Sequence, residues 1–283
     1  MSQALEITHG AFGRVALLDM DRALVRHAHP HCHVLLKVDG DDTQFLVGDR
    51  LVSLTDDQLV LVNAWETHAY VHDPAREKAV ILALYIEPDW LRGFRPNWAA
   101  SGAPDFFERA TGATTPAIRA ITQDLAAELI YASGSNHIQD ELLSRLMIAV
   151  IERFTAWRDV GGSSRDAARP ASDWRVRRAI ERMRENPGAA GGVSTLAREA
   201  GLSRAHFYRQ FEMMTGASPN VFLNAIRVER AVEALVGAED EIGELGTRLG
   251  FGEPAHFSRF FRDHVGVPPS AFRRIARRGA PAH

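Results

Sequence analysis

Apolar positions fall into three rhythms along the chain. Over residues 1–88 they form short runs, at 14–19, 33–38, 44–47, 59–62 and 78–86. Asp39-Gly40-Asp41-Asp42 and Gly48-Asp49 separate some of these runs and favour tight turns. Short strands at this spacing predict an all-β barrel or sandwich. From residue 89 to about 157 the period becomes helical. Ile118, Ile121, Leu125 and Leu129 make one stripe, and Leu142, Leu143, Leu146, Met147, Val150, Ile151 and Phe154 make another. Ser133-Gly134-Ser135-Asn136 reads as the turn between them, so residues 89–160 are expected to form an antiparallel helical hairpin. The second stripe spans a wide arc. It is core in the plain reading and a dimer contact in an additional one. Residues 161–171 (GGSSRDAARPA) read as a polar linker, and 172–283 as helix almost throughout.

The last region contains an internal repeat. At one offset of 50 positions, His206, Phe207, Arg209, Phe211, Gly216, Pro219, Phe222 and Arg227 recur as His256, Phe257, Arg259, Phe261, Gly266, Pro269, Phe272 and Arg277. Such coincidence points to duplication. Each copy has helix-turn-helix grammar. In the first, Ser194 caps a short helix, Gly201 supplies a left-handed turn, Leu202 plugs the core and Ser203 caps the next helix. Small residues, Ala197 and Gly246, stand four positions before the turn glycines Gly201 and Gly250 and let two helices cross closely. A solenoid-like array for protein contacts is the competing reading, but two copies are few for one.

Charge sharpens the choice. Residues 1–164 carry 14 Lys and Arg against 22 Asp and Glu (net −8), and residues 165–283 carry 19 against 14 (net +5), all 19 being Arg. An anionic partner is therefore expected for the helical half. No apolar run is long enough to span a bilayer, and the first 30 residues lack the pattern of a signal peptide. A lone cysteine, Cys32, allows no internal disulfide. A cytoplasmic protein without membrane attachment is expected.

The segment from about residue 172 to 278 resembles the DNA-binding domain of the AraC/XylS family of bacterial regulators. Its most specific part is GFGEPAHFSRFFRDHVGVPPSAFR, residues 250–273. The resemblance implies a multidomain regulator, with a cupin-like barrel and hairpin in front of an all-α domain of two helix-turn-helix units. It also implies a long helix over 220–235 joining the units. The second helix of each unit is expected in a major groove of double-stranded DNA, the two grooves about 34 Å apart. Phe207, Phe211, Phe257 and Phe261 must face inward. Arg204, Ala205, Tyr208, Arg209 and Glu212 then face outward in the first unit, and Glu253, Pro254, Ala255, Ser258, Arg259 and Arg262 in the second. Family base-reading positions match Ala205, Tyr208 and Arg209, then Pro254, Ala255, His256, Ser258 and Arg259. Arg209 and Arg259 are the best readers, since a guanidinium bridges guanine O6 and N7, with a phosphate contact as the alternative. Regulation implies a homodimer and RNA polymerase as further partners.

In RHAHPHCHV, His27, His29, His31 and His33 alternate, and on a strand would share one face. His68 and His72 are further candidates for that interior. The region resembles a cupin weakly, with His31-x-His33 and Thr67-His68 in the place of its two motifs. Lys37 stands where cupin enzymes usually place a glutamate ligand. That favours an anionic or hydroxylated small-molecule effector on His29, His31, His33, Lys37 and His68, with no cofactor. A divalent metal on His29, His31, His33 and His68, with Glu66 as substitute carboxylate, is the alternative. Cys32 falls on the opposite face as a small buried hydrophobe. The leading reading is a ligand-responsive transcription regulator that is not an enzyme. The competitors are a metal-dependent cupin enzyme fused to a DNA-binding tail, and an architectural DNA-binding protein without effector.

Overall fold

The structure is a computed structural model, which describes residues 2–131, 136–155, 173–189, 191–237 and 241–276. The expected hairpin turn at 133–136 (except for the backbone of Asn136) and the expected linker at 161–171 lie outside them. The N-terminal region folds as two antiparallel sheets facing each other. One has the order β1 (Gln3–Gly10), β2 (Gly13–Met20), β8 (Ala79–Ile86), β3 (Cys32–Gly40), β6 (Gln58–Val62), β9 (Thr111–Ala113). The other has β5 (Arg50–Leu54), β4 (Thr43–Val47), β7 (His68–Val71). The five expected strands are β2, β3, β4, β6 and β8. The cupin-like jelly roll is present, but the two sheets do not close into a single hydrogen-bonded barrel.

Strands β2, β3, β6 and β8 are apolar on both faces because both faces are covered. Alternate side chains on these strands point to opposite sides. Leu18, Leu35, Val60 and Ile81 line the space between the sheets, whereas Leu17, Val34, Leu59 and Leu82 face outward onto helices. These are α2 (Pro116–Tyr131) and α3 (Asn136–Phe154), which follow α1 (Pro88–Arg92) and a 3₁₀ turn over Pro96–Gly102. Ile118, Leu125, Leu143, Leu146, Val150 and Ile151 are buried in one cluster with those outward strand residues. The hairpin expected as a separate unit at 89–160 is therefore the cover of the larger sheet. The wide apolar arc of α3 packs on that sheet, which is the core reading of the sequence. Cys32 sits in the same cluster, on the face opposite His33, as expected.

The C-terminal half is helical: α4 (Trp174–Glu185), α5 (Val193–Glu199), α6 (Arg204–Thr215), α7 (Pro219–Gly237), α8 (Ile242–Arg248), α9 (Pro254–Val265) and α10 (Pro269–Ala276). Its duplication extends to single hydrogen bonds. Leu202 N–H donates to the Ala197 carbonyl and Phe251 N–H to the Gly246 carbonyl, each at 3.0 Å. Phe222 N–H bonds Ser218 and Phe272 N–H bonds Pro268, each at 2.9 Å. The helices α6 and α9 end at Gly216 and Gly266, both at positive φ, as the repeat predicts. Ser203 caps α6 by accepting from His206 N–H, but Ser194 caps nothing: α5 begins at Val193 with Gly192 before it.

Two cores hold this half. The first unit buries Phe207, Phe211, Phe222 and Leu223 with Val176, Ile180 and Met183 of α4. The core of the second unit is continuous with that of the sheets. Phe257, Phe261, Phe272 and Ile275 belong to one continuous cluster with Leu18, Leu35, Phe45 and Ile81 between the sheets. Helix α7 contributes Phe222 and Leu223 to the first core and Val228, Ala231, Val232 and Leu235 to the second.

Candidate functional site

The surface expected to read DNA follows from helix periodicity. With Phe207 and Phe211 wholly buried, the opposite side of α6 presents Arg204, Ala205, Arg209 and Glu212 to solvent. With Phe257 and Phe261 buried, α9 presents Glu253, Pro254, Ala255, His256 and Arg259, and Ser258 is half-buried. Neither Arg209 nor Arg259 is tied into an ion pair among the described residues, so both guanidinium groups stand free to reach outward. Two residues of the expected DNA surface, Tyr208 and Arg262, also have partners within the protein. The Tyr208 hydroxyl accepts from Asn220 Nδ2 at 3.0 Å, with the Arg204 guanidinium over the tyrosine ring, so Tyr208 already has a structural bond. Arg262 is half-buried beside Asp263, 3.7 Å away, on the end of α9 that meets the sheets. Arg227, matched by the repeat, is also structural: its guanidinium lies over Phe251 and donates to the Pro187 carbonyl.

The second site is a knot of histidines between the two sheets. The alternation of His27, His29, His31 and His33 does not place them on one face, because β3 starts only at Cys32. Pro30 has no N–H to give a ladder and breaks the extension. His27 instead pairs its backbone with His68, with N···O distances of 2.9 and 2.8 Å. His31 turns away and bonds Glu87 Oε1 at 2.8 Å, which holds the Glu87 carboxyl below the usual range. Lys37 also departs from the expected set: its ammonium is held by Asp42 at 2.7 Å and Asp56 at 3.4 Å, away from the histidines. Glu66 accepts from Asn63 N and Nδ2 through Oε2, and it is not among the residues whose ligand atoms lie together. His72 lies beside Tyr70, with ring centres 6.2 Å apart, and is not part of the cluster.

His29, His33 and His68 remain, all buried, with one ligand nitrogen from each lying within 4.8 Å of the others. Burial, with repulsion between neighbouring rings, holds His29 well below its ordinary pKa. Burial lowers His33 and His68 to about 3. All three are neutral imidazoles at neutral pH. A cavity of about 20 Å³ beside them is lined by His27, His33, His68, Tyr70 and Tyr85. A space of that size admits roughly one water-sized group, whereas organic ligands fill cavities of about 300 Å³ or more.

This knot touches the DNA-binding half at two places. Trp65, the sole non-glycine residue at positive φ among those described (φ 64°), donates its N–H to the His29 carbonyl at 2.8 Å. Its indole stacks on Phe222 of α7, with ring centres 4.5 Å apart. On the other side the His27 ring lies 6.3 Å from that of His264 on α9, and Val25 N–H bonds the Asp263 carbonyl at 3.0 Å. Sequence reasoning found His29, His33 and His68 but had no signal for Trp65.

Comparison with known proteins agrees with this division. The family description of an AraC-like ligand binding domain matches residues 15–151, and that of a helix-turn-helix domain matches 196–275. The transcriptional activator RhaR of Enterobacter sp. (strain 638) is 23% identical over 258 residues, covering 90% of this chain and 88% of that protein. The MmsAB operon regulatory protein of Pseudomonas aeruginosa is 30% identical over 97 residues, 34% of this chain and 32% of that protein. Apo ToxT K231A from Vibrio cholerae shares the fold with a TM-score of 0.58 at 11% identity, covering 95% and 98% of the two chains. Wild-type ToxT with a bound unsaturated fatty acid gives a TM-score of 0.51 at 12% identity, covering 95% and 96%. No helix among the described residues is long and apolar enough to cross a membrane. With a ligand-binding domain in front and a doubled helix-turn-helix behind, the chain belongs to the AraC/XylS family of DNA-binding transcription regulators.

Proposed function

We propose that this regulator reads double-stranded DNA through α6 and α9, with Arg209 and Arg259 as the principal base contacts. Ligand occupancy between the sheets sets how those helices are held. The observation that carries the second half is the continuous core: residues beside the histidines and residues of the second helix-turn-helix pack in one cluster. A ligand that shifts the sheets must therefore strain or relax that unit. The first unit presents Arg204 and Arg209, the second the shorter Pro254 and Ala255 with Arg259, so the first carries more of the sequence discrimination.

RhaR is named an activator, and activation through RNA polymerase by a cytoplasmic homodimer is the corresponding role here. A cupin enzyme is the weaker reading, since the curated relatives are named as regulators and Lys37 replaces the expected glutamate ligand. The test is selection of bound sequences from random duplex DNA, followed by affinity measurements on single-base variants. Arg209→Ala and Arg259→Ala are each expected to cost about 1–3 kcal/mol and to relax one base position. Uniform weakening across all base changes would overturn base reading.

A further inference from the structure

Three features of the histidine knot go together. Each Nδ1 sits 3.0 Å from a backbone carbonyl: His29 on His31, His33 on Leu84 and His68 on Glu66. A carbonyl only accepts, so Nδ1 carries the proton in each ring and Nε2 carries a lone pair. The Nε2 atoms of His29 and His68 are buried without any partner. Three acceptors cannot satisfy one another, and an orphaned buried acceptor costs about 1–3 kcal/mol. A Lewis acid placed among them would satisfy all three at once. Metal-bound histidines characteristically anchor their other nitrogen on a carbonyl or carboxylate, as all three do here.

We propose that His29, His33 and His68 bind one divalent transition-metal ion through Nε2, and that its occupancy is passed to the DNA-binding half through Trp65 and His27. The second clause rests on the ligand-responsive reading above. Three neutral imidazoles without carboxylate or thiolate suit zinc, cobalt, nickel or copper and not magnesium or calcium. The adjoining cavity of about 20 Å³ leaves room for a water or small anion as fourth ligand. Arg14 and Glu229 line the neighbouring crevice with His27 and His29, so the surroundings carry one charge of each sign.

Tetrahedral coordination brings ligand nitrogens to about 3.3 Å of one another, so the rings must draw in from their present spread of up to 4.8 Å. Closing that gap pulls on the His29 carbonyl that holds Trp65, and on the His68 backbone that pairs with His27. Those two residues face Phe222 on α7 and His264 on α9.

The experiment titrates the full chain, freed of metal by chelation, with Co²⁺ and follows its visible absorption, then displaces it with Zn²⁺. A single equivalent with a tetrahedral spectrum is expected, along with a rise in melting temperature on adding Zn²⁺. His33→Ala and His68→Ala should lose the spectrum, and His31→Ala should keep it. Should those variants fail to fold, the wild-type titration and melting shift still decide. No cobalt spectrum and no zinc-induced shift in wild type overturns the site. An unchanged spectrum in folded His68→Ala overturns the ligand assignment. Affinity for the selected DNA is then compared with and without Zn²⁺. A change of tenfold or more supports the relay, and a change below twofold overturns it while leaving the metal site standing. Failure to select any DNA sequence would instead strike at the regulator reading.

Discussion

Trp65 offers a way to measure how firmly the two halves are joined. Its positive φ costs of order 1–3 kcal/mol for a residue bearing a Cβ, and the stack on Phe222 must offset this. An aromatic pair contributes about 0.5–1.5 kcal/mol beyond simple burial. Trp65→Ala keeps the backbone strain and removes the ring, so it should destabilise by about 1–3 kcal/mol. Trp65→Gly removes both ring and strain, so it should lie closer to wild type by about 1 kcal/mol. Pairing Trp65→Ala with Phe222→Leu in a double-mutant cycle isolates the contact, and urea unfolding of the four proteins provides the free energies. A coupling of about 0.5–1.5 kcal/mol is expected. A coupling under about 0.3 kcal/mol, within the scatter of independent sites, would refute the claim that this stack joins the halves.

Other outcomes follow from single contacts. A Cβ at Gly246 would stand 2.9 Å from Phe257 Cβ, so Gly246→Ala should cost about 1–3 kcal/mol and weaken DNA binding, as read by urea unfolding and gel shift. At the matching position of the first unit Ala197 is already accommodated, and Ala197→Gly should cost only about 1 kcal/mol through helix propensity. Burial pushes the Cys32 thiol up to about 12, so a thiol reagent at pH 8 should leave the native chain unmodified and react only on unfolding. His9 packs on Phe272 at the junction of β1 and α10, and burial, then Arg14, hold its pKa at about 3. Unfolded, it takes its proton near 6.5, so stability present above that pH should fall as pH drops from 6.5 towards 3, and His9→Phe should flatten this slope in thermal melts.

How much of this was legible in the sequence depends on where each side chain finds its partner. Strands buried on both faces read as apolar runs, and all five expected ones exist. Strands β1, β5, β7 and β9 escaped because they are short or lie at sheet edges, where pairing rather than composition makes them strands. The helix-turn-helix units were readable because caps, turn glycines and apolar spacing are local. What covers α3, and what buries Phe272 and Ile275, is a matter of distant residues that no local pattern announces. The histidine spacing misled for one chemical reason, the proline at position 30. The strain at Trp65 likewise has no sequence signature, since nothing in Ala64-Trp65-Glu66 asks for a left-handed backbone.

The 19 residues of α7, with one end set in each core, make a strut about 28 Å long. Because it is one unbroken helix from core to core, it sets the rotation of the reading helices as well as their separation. The bound DNA must present both contact stretches with a fixed helical phase. Inserting about five base pairs between them turns one stretch to the far side of the duplex, and binding should collapse to the affinity of one unit. Inserting a full turn restores the side but not the distance. An operator for this protein is thus defined by its geometry as much as by its letters.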